Sequence, residues 1–516
     1  MNKWMIGVGF FMAMLSAALV ASPEKEVPVP EALTGFSEYA TAGLAKSGIP
    51  GLAIGIVKDD QVVFAQGFGV RKLGEPELIN AHTVFAVGST TKAFTAALLA
   101  MLVSEGKIAW DDSVEKYLPG FALADPLATR ELTVRDLLTH RSGLPDHGGD
   151  LLYFGYNYDR NEIIRRLRFL KPDSGFRARY AYQNVMYTVA GELVAAVRRK
   201  PWDELVSEQL FIPLGMDDTT TNVRNLDGAQ NVATPHAVLE GKVTPIRYRP
   251  IDSAGGAGVI NSTAHDMSIW LRLLLGEGKL GGKTYWKSSQ SREMFAAQTV
   301  LPLEGPRIKS YPDAHFVCYG LGWFLSDYQG RKLAQHSGNV DGMSAHVLLV
   351  PEEKLGIVIL ANKDYAVSLR GLALEVVDRF LKLPKKDRFA EMIALETELR
   401  DDQKTKEQAT LDKQVKETKP TYPLERYAGF YRSPLYGEAI VEWLDDKLIF
   451  RLGVMHGELT HFHYDTFLLT WKNPQDGRAL VRFVPNDLGK IGGLRLIELH
   501  KPNDSDAEYL RIERRP

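Results

Sequence analysis

The chain predicts a mixed α/β (α+β) fold in which one antiparallel sheet is flanked by helices and followed by a small all-β barrel or sandwich. Three observations carry this. Paired apolar runs that read as hairpins stand at 52–68 and 346–360, the stretch between them has helical periodicity, and short alternating runs separated by turn residues begin after residue 420. Hairpins at both ends of a helical middle put the terminal strands in one sheet, with the inserted helices packed over it.

With 516 residues, 45% of them hydrophobic and 24% charged, the chain has globular proportions and room for two or more domains. It opens with Lys3, an apolar run from Trp4 to Val20, and small residues at Ala21 and Ser22. This is the layout of a signal peptide over 1–21, so the expected location is secreted or periplasmic, with no stable membrane anchor once the leader is removed. The run is close to membrane-spanning length, so retention as an anchor is the alternative. Leu52–Val57 and Val62–Phe68 then read as strands around Lys58-Asp59-Asp60. Helical patterns follow at Ala93–Glu105, Val134–His140, Arg160–Leu170, Val185–Arg198 and Thr263–Leu275, the last opened by Thr263 and Asp266 at capping-box spacing. His346–Val350 and Gly356–Leu360 flank Pro351-Glu352-Glu353-Lys354, and a helix over Leu369–Leu381 closes a domain assigned to 31–383. Residues 384–419 are dominated by Lys, Glu, Asp, Gln and Thr and predict a solvated helix or linker. In 420–516 the runs Ala439–Trp443, Lys447–Leu452, Thr466–Trp471 and Ala479–Val484 predict the all-β unit.

Lys and Arg total 62 against 64 Asp and Glu, a net charge of −2 without a basic run, so no nucleic-acid partner is expected. Cys318 is the sole cysteine, which excludes an internal disulfide and reads as a small buried hydrophobe. Ser89-Thr90-Thr91-Lys92 sets a hydroxyl three residues before an amine, on one helix face. Serine needs a neighbouring base to act as a nucleophile, and a partly buried lysine can be one. Tyr182-Gln183-Asn184 supplies a phenol and an amide at the start of a helix, and His336-Ser337-Gly338 sits just before the late hairpin, where Gly338 allows close approach of a ligand. His140 and Ser142 read as loop supports. Ala254-Gly255-Gly256-Ala257-Gly258 lacks the lysine and strand–helix context of a phosphate loop, and so reads as a packing or site-lining segment. His461 and His463 share a strand face without a third ligand, so no metal and no cofactor are expected.

Ser-x-x-Lys, Tyr-x-Asn and His-x-Gly in this order resemble the penicillin-recognising serine hydrolases related to class C β-lactamases, D-alanyl-D-alanine carboxypeptidases and CubicO-like peptidases. Leu137–Leu144, Pro213-Leu214-Gly215-Met216 and Tyr319–Trp323 are similar too, so the resemblance covers roughly 31–381. It implies a β-lactamase/transpeptidase-like sheet domain and an acyl-enzyme on Ser89, with Lys92 and Tyr182 sharing the proton transfers. It also implies that Asn184 holds the substrate amide and Lys92, that backbone N–H groups of Ser89 and Asn339 form an oxyanion hole, and that His336 and Ser337 line the leaving-group or carboxylate side. Tyr427–Tyr431 and His461–Phe467 resemble the lipocalin-like barrel attached to some relatives.

One departure narrows the substrate. Efficient β-lactamases of this class carry Lys-Thr-Gly at the third motif, and an imidazole is a weaker carboxylate anchor than an ammonium. His-x-Gly resembles D-amino-acid peptidases of the family instead. The expected activity is therefore a peptidase or amidase on D-amino-acid-containing or cell-wall-like peptides. An esterase or weak β-lactamase of the same fold, and a penicillin-binding or scaffold protein without turnover, are the alternatives. Expected partners are a small peptide, ester or β-lactam substrate, and a homo-oligomer is left open.

Overall fold

The computed structural model describes residues 28–226, 229–311, 313–499 and 507–512. The expected leader lies outside the described residues, and among these no helix is long and apolar enough to cross a membrane. The main sheet is built from β1 (Gly51–Lys58), β2 (Gln61–Gly69), β3 (Thr299–Leu301), β4 (Val317–Tyr319), β5 (Phe324–Tyr328), β6 (Arg331–Val340), β7 (Met343–Val350) and β8 (Leu355–Ala361). Its order is β2-β1-β8-β7-β6-β5-β4-β3, antiparallel throughout, so the two predicted hairpins lie side by side through the β1–β8 pair.

Helices cover both faces. On one side α1 (Phe36–Ser47) and α5 (Leu369–Phe380) pack Phe36, Ala40, Leu372 and Val376 against Ile54, Ile56, Leu348, Ile357 and Ile359. On the other, α2 (Thr91–Ser104), α3 (Asn184–Arg198) and α4 (Ala264–Leu275) bring Phe94, Leu98, Val189 and Trp270 to Ala53, Val57, Val347 and Val358. β7 and β8 are therefore buried along their whole length, and β8 and the second half of β7 read as unbroken apolar runs. Each aliphatic side chain so buried stabilises the fold by about 2 kcal/mol. Helix α2 is hydrophobic on all sides and buries 12 of its 14 residues, including Lys92 in its first turn.

Three local expectations differ from the structure. The helix expected over Val134–His140 covers only Val134–Leu137, because His140 takes a left-handed backbone (φ 54°) and turns its ring inward. Thr263 caps α4 by accepting from Asp266 N, but the Asp266 carboxylate turns away to Asp218 N (2.9 Å) and Thr219 Oγ1 (2.7 Å). The charged segment after residue 383 forms α6 (Arg388–Leu411), whose first turns are not solvated. They bury Phe389, Met392 and Leu395, and hold the ion pairs Lys363–Glu396 (2.8 Å) and Arg388–Asp378 (2.9 Å). Farther along, Thr410 Oγ1 donates to Leu499 O (2.9 Å), so α6 spans from the sheet domain to the C-terminal unit.

That unit is a closed barrel of eight antiparallel strands in sequential order: β9 (Gly429–Ser433), β10 (Gly437–Leu444), β11 (Lys447–Leu452), β12 (Met455–His463), β13 (Thr466–Trp471), β14 (Arg478–Pro485), β15 (Ile491–Glu498) and β16 (Ala507–Ile512). Inward side chains such as Tyr431, Phe450, Phe467 and Val481 fill it, as is usual for a barrel of this size. It docks on residues 151–158 of the sheet domain. Leu151, Phe154 and Tyr156 pack against its core, Val454 N donates to Gly155 O (2.9 Å), and Tyr158 OH donates to Tyr436 O (3.1 Å).

Candidate active site

Ser89 lies in a 3-10 turn, Gly88–Thr90, that leads into α2, so its backbone N–H belongs to a helix N-terminus. One turn later Lys92 Nζ lies 3.0 Å from Ser89 Oγ, 2.8 Å from Asn184 Oδ1 and 2.8 Å from Ala257 O. The last two partners only accept hydrogen bonds. A neutral amine therefore gives both of its N–H groups to them and keeps its lone pair for the Ser89 hydroxyl. Burial drives the Lys92 pKa down to about 7, with the Asp150 carboxylate pulling the other way, and a cation in the first turn of a helix is further disfavoured by the helix dipole.

Tyr182 covers this pair, with its ring centroid 4.8 Å from Lys92 Nζ. Burial raises its phenol pKa, opposed by a hydrogen bond with Ser89, so it stays protonated where Lys92 is already free. Its loop is fixed from below by His140, whose Nδ1 accepts from Gln183 N (2.9 Å) and whose ring lies 4.2 Å from that of Tyr182. Burial holds His140 neutral. The loop-support reading of His140 thus has a definite geometry.

Strand β6 supplies the opposite wall. Its pairing with β5 ends at Gln335, so 336–340 keep only β7 as a strand neighbour and face the serine turn. Gly338 was expected to admit a ligand, yet the chain itself makes the close approach: a Cβ there would meet Val87 O at 2.0 Å and Ser89 N at 3.0 Å. Gly88, at φ 52°, approaches Asn339 N in the same way. These contacts bring the Ser89 and Asn339 amides together. Ser337 and Asn339 line the cleft, with Ser337 Oγ 2.9 Å from His346 Nδ1 and Asn339 Oδ1 accepting from Ser344 Oγ (3.0 Å). His336 also borders the cleft. Its Nε2 lies 2.9 Å from Tyr319 OH and its Nδ1 2.7 Å from Ser337 O, and burial lowers its pKa to about 3. Both nitrogens are engaged and the ring is neutral.

The cleft measures about 930 Å³ and is shared between the two domains. Asp146, Asp150 and Tyr153 line it from the loop 145–158, and no described residue of 301–316 is among its lining. Trp471, Arg478 and Glu498 line it from the barrel, and Glu407 from α6. Sequence reading singled out none of Trp471, Arg478, Glu498, Asp150 and the Ala257 carbonyl; the glycine-rich run did point to the segment that carries Ala257. Arg249 joins the walls by pairing with both Asp341 and Asp476. Arg249→Ala leaves these two carboxylates without their shared cation and is expected to cost about 3 kcal/mol, read as a lower unfolding temperature by calorimetry.

A family model described as β-lactamase matches residues 36–379, and one for a domain of unknown function, DUF3471, matches 413–511. The chain is 29% identical over 450 residues to the unguisins hydrolase ungD of Aspergillus violaceofuscus, covering 81% of this chain and 77% of that protein. It is 26% identical over 329 residues to protein flp of Staphylococcus aureus, covering 62% of this chain and 61% of the other. Among solved structures, an octameric penicillin-binding protein homologue from Pyrococcus abyssi shares the fold at a TM-score of 0.59 and 21% identity, over 93% of this chain and 99% of its own. A D-stereospecific amidohydrolase from a Streptomyces species does so at 0.54 and 24%, over 68% and 98%. The extent of the first match and the sheet it covers make one conclusion plain: this chain belongs to the β-lactamase family, a family of serine hydrolases, and carries a DUF3471 domain at its C-terminal end.

Proposed function

We propose that the protein is an exported serine hydrolase that works through an acyl-serine intermediate, as a peptidase or amidase on D-amino-acid-containing or cell-wall-like peptides. The observation that carries the chemistry is the set of three partners around Lys92 Nζ, which aims the lone pair of a buried amine at Ser89 Oγ. Ser89 Oγ attacks the carbonyl carbon and its proton passes to Lys92. The oxyanion is held by the Ser89 and Asn339 N–H groups, and one such donor is worth about 10²- to 10³-fold in rate. Tyr182, still protonated, hands a proton to the departing amine and is restored from Lys92. Water then attacks the acyl carbonyl by the same proton path in reverse. Asn184 holds Lys92 and borders the substrate amide. The raised phenol and lowered amine support Lys92, rather than Tyr182, as the base.

The substrate reading rests on the His-x-Gly motif and on a neutral His336, which offers no cation to the carboxylate of a β-lactam. The relative from Aspergillus is itself named a hydrolase. A fluorophosphonate probe followed by peptide mapping is expected to place the adduct on Ser89. In a panel of D- and L-aminoacyl p-nitroanilides, p-nitrophenyl esters and nitrocefin, the D-aminoacyl anilides are expected to turn over fastest. An unlabelled native protein defeats the enzyme reading, and fastest turnover of esters or nitrocefin defeats the substrate class. Tyr182→Phe is expected to lower kcat by about 10²-fold with KM little changed, because it removes the proton donor and leaves the cleft shape intact.

A further inference from the structure

We infer that Asp150 is a positioning residue of this site, one that fixes the Asn184 side-chain amide so that Oδ1 and not Nδ2 meets Lys92. The inference rests on the acyl-serine reading given above. The two ends of an asparagine amide have nearly the same shape, so its hydrogen-bond partners decide which way it faces. Asn184 Nδ2 donates to Asp150 Oδ2 at 2.9 Å and to Tyr153 OH at 3.3 Å, while Oδ1 accepts from Lys92 Nζ at 2.8 Å. A carboxylate only accepts. Turned over, the amide would set its oxygen against the carboxylate, losing that contact, and its N–H groups against the lysine.

The orientation matters because of what it leaves free. With Oδ1 and Ala257 O taking the two N–H groups of neutral Lys92, the lone pair is left for Ser89 Oγ. With Nδ2 in that place, the lone pair would turn to the amide instead. Asp150 is itself held, by His147 Nδ1 2.9 Å from Oδ2 and by its place directly before the short helix Leu151–Phe154 on which the barrel docks.

Asp150 also acts by its charge. Burial keeps His140 and His336 neutral beside Lys92, and it keeps the phenols of Tyr153, Tyr182 and Tyr187 protonated. Around Asp150 itself stand His147, Tyr153 and Tyr365 of the sheet domain, and Tyr436 and Glu498 of the barrel. The Asp150 carboxylate favours the charged form of Lys92. Removing the charge lowers the Lys92 pKa further, so the free amine persists to lower pH.

The test uses the full chain and a fluorophosphonate probe, where the Ser89 Oγ–P bond forms, P–F breaks, fluoride departs and Lys92 takes the serine proton. Its rate is measured against pH and split into probe affinity and limiting rate, for the parent, Asp150→Ala and Asp150→Asn. Asp150→Ala is expected to lower the limiting rate at least ten-fold with affinity within two-fold. Asp150→Asn can still accept from Asn184 Nδ2, and so recovers most of that rate with its acid limb at lower pH than the parent's. Titration of Lys92 by NMR with ε-¹³C-lysine needs no turnover and is expected to show a lower pKa in Asp150→Asn. An Asp150→Ala rate within two-fold of the parent, or a Lys92 that titrates at the parent's pH in Asp150→Asn, overturns the inference. A parent that the probe leaves unlabelled defeats the acyl-serine reading by itself, and the NMR titration still decides the role of Asp150.

Discussion

Ser89→Ala is expected to lower kcat on the best substrate by about 10⁴- to 10⁶-fold while KM stays within a few-fold. The size follows from what the change removes and what it spares. The hydroxyl that would form the acyl-enzyme is gone, yet the Ser89 and Asn339 amides are backbone groups and still meet a developing oxyanion, so a slow attack by water survives. The cleft is lined by many other side chains, so ground-state binding is little affected. Folding is spared as well, because the described partners of Ser89 Oγ are Lys92 and Tyr182, and neither depends on it for its place. Steady-state kinetics with mass analysis of the trapped acyl-enzyme checks this. A variant that keeps even one tenth of the parent rate takes Ser89 out of the chemistry.

Lys92→Met is expected to cost about 10³- to 10⁵-fold in kcat, and combining it with Ser89→Ala should cost no more than Ser89→Ala alone, since the pair acts as a unit. In the parent, kcat/KM should climb through pH 7 as Lys92 gives up its proton. Stability carries the same signature. Burial brings the folded amine down to about 7, whereas the unfolded one keeps the ordinary lysine value of 10.5. Below 7 both states hold the proton and the burial penalty is fully present; between 7 and 10.5 only the unfolded state holds it, so stability rises with pH across that window. The slope is about 1 kcal/mol per pH unit. Methionine has no proton to shed, so the parent should gain on Lys92→Met between pH 7 and 9 in denaturant titrations. Parallel curves would mean that Lys92 is not buried as an amine.

The parts of this molecule that a sequence shows are those written within a few residues. Ser89 and Lys92 share a helix face, Tyr182 and Asn184 stand at the start of α3, and the apolar runs of β1, β2, β7 and β8 mark the sheet, so each is a local pattern. Asp150 carries no such mark: it meets Asn184 only after the 145–158 loop folds across α3. His336 shows the same limit from the other side. Its motif gave its place beside the cleft, but the Tyr319 hydroxyl that occupies Nε2 arrives from β4, two strands away in the sheet. In α6 the buried Phe389, Met392 and Leu395 are diluted among charges, and the composition of the whole segment hid a packed first half. The barrel strands were legible by alternation. Their docking on Leu151, Phe154 and Tyr156 was not, because a docking face looks like ordinary core or ordinary surface until both bodies exist.

The cleft shared by two domains makes barrel docking and substrate binding linked equilibria. A substrate that touches both Ser89 and Trp471 binds the docked arrangement better than a loosened one, so it draws the barrel down by the same free energy that docking lends to its own affinity. Whatever strains the Arg249 bridge is then paid back as weaker binding, even where no residue near Ser89 has moved. Changes on the barrel rim can in this way retune which ligands the cleft accepts while Ser89 and Lys92 stay as they are.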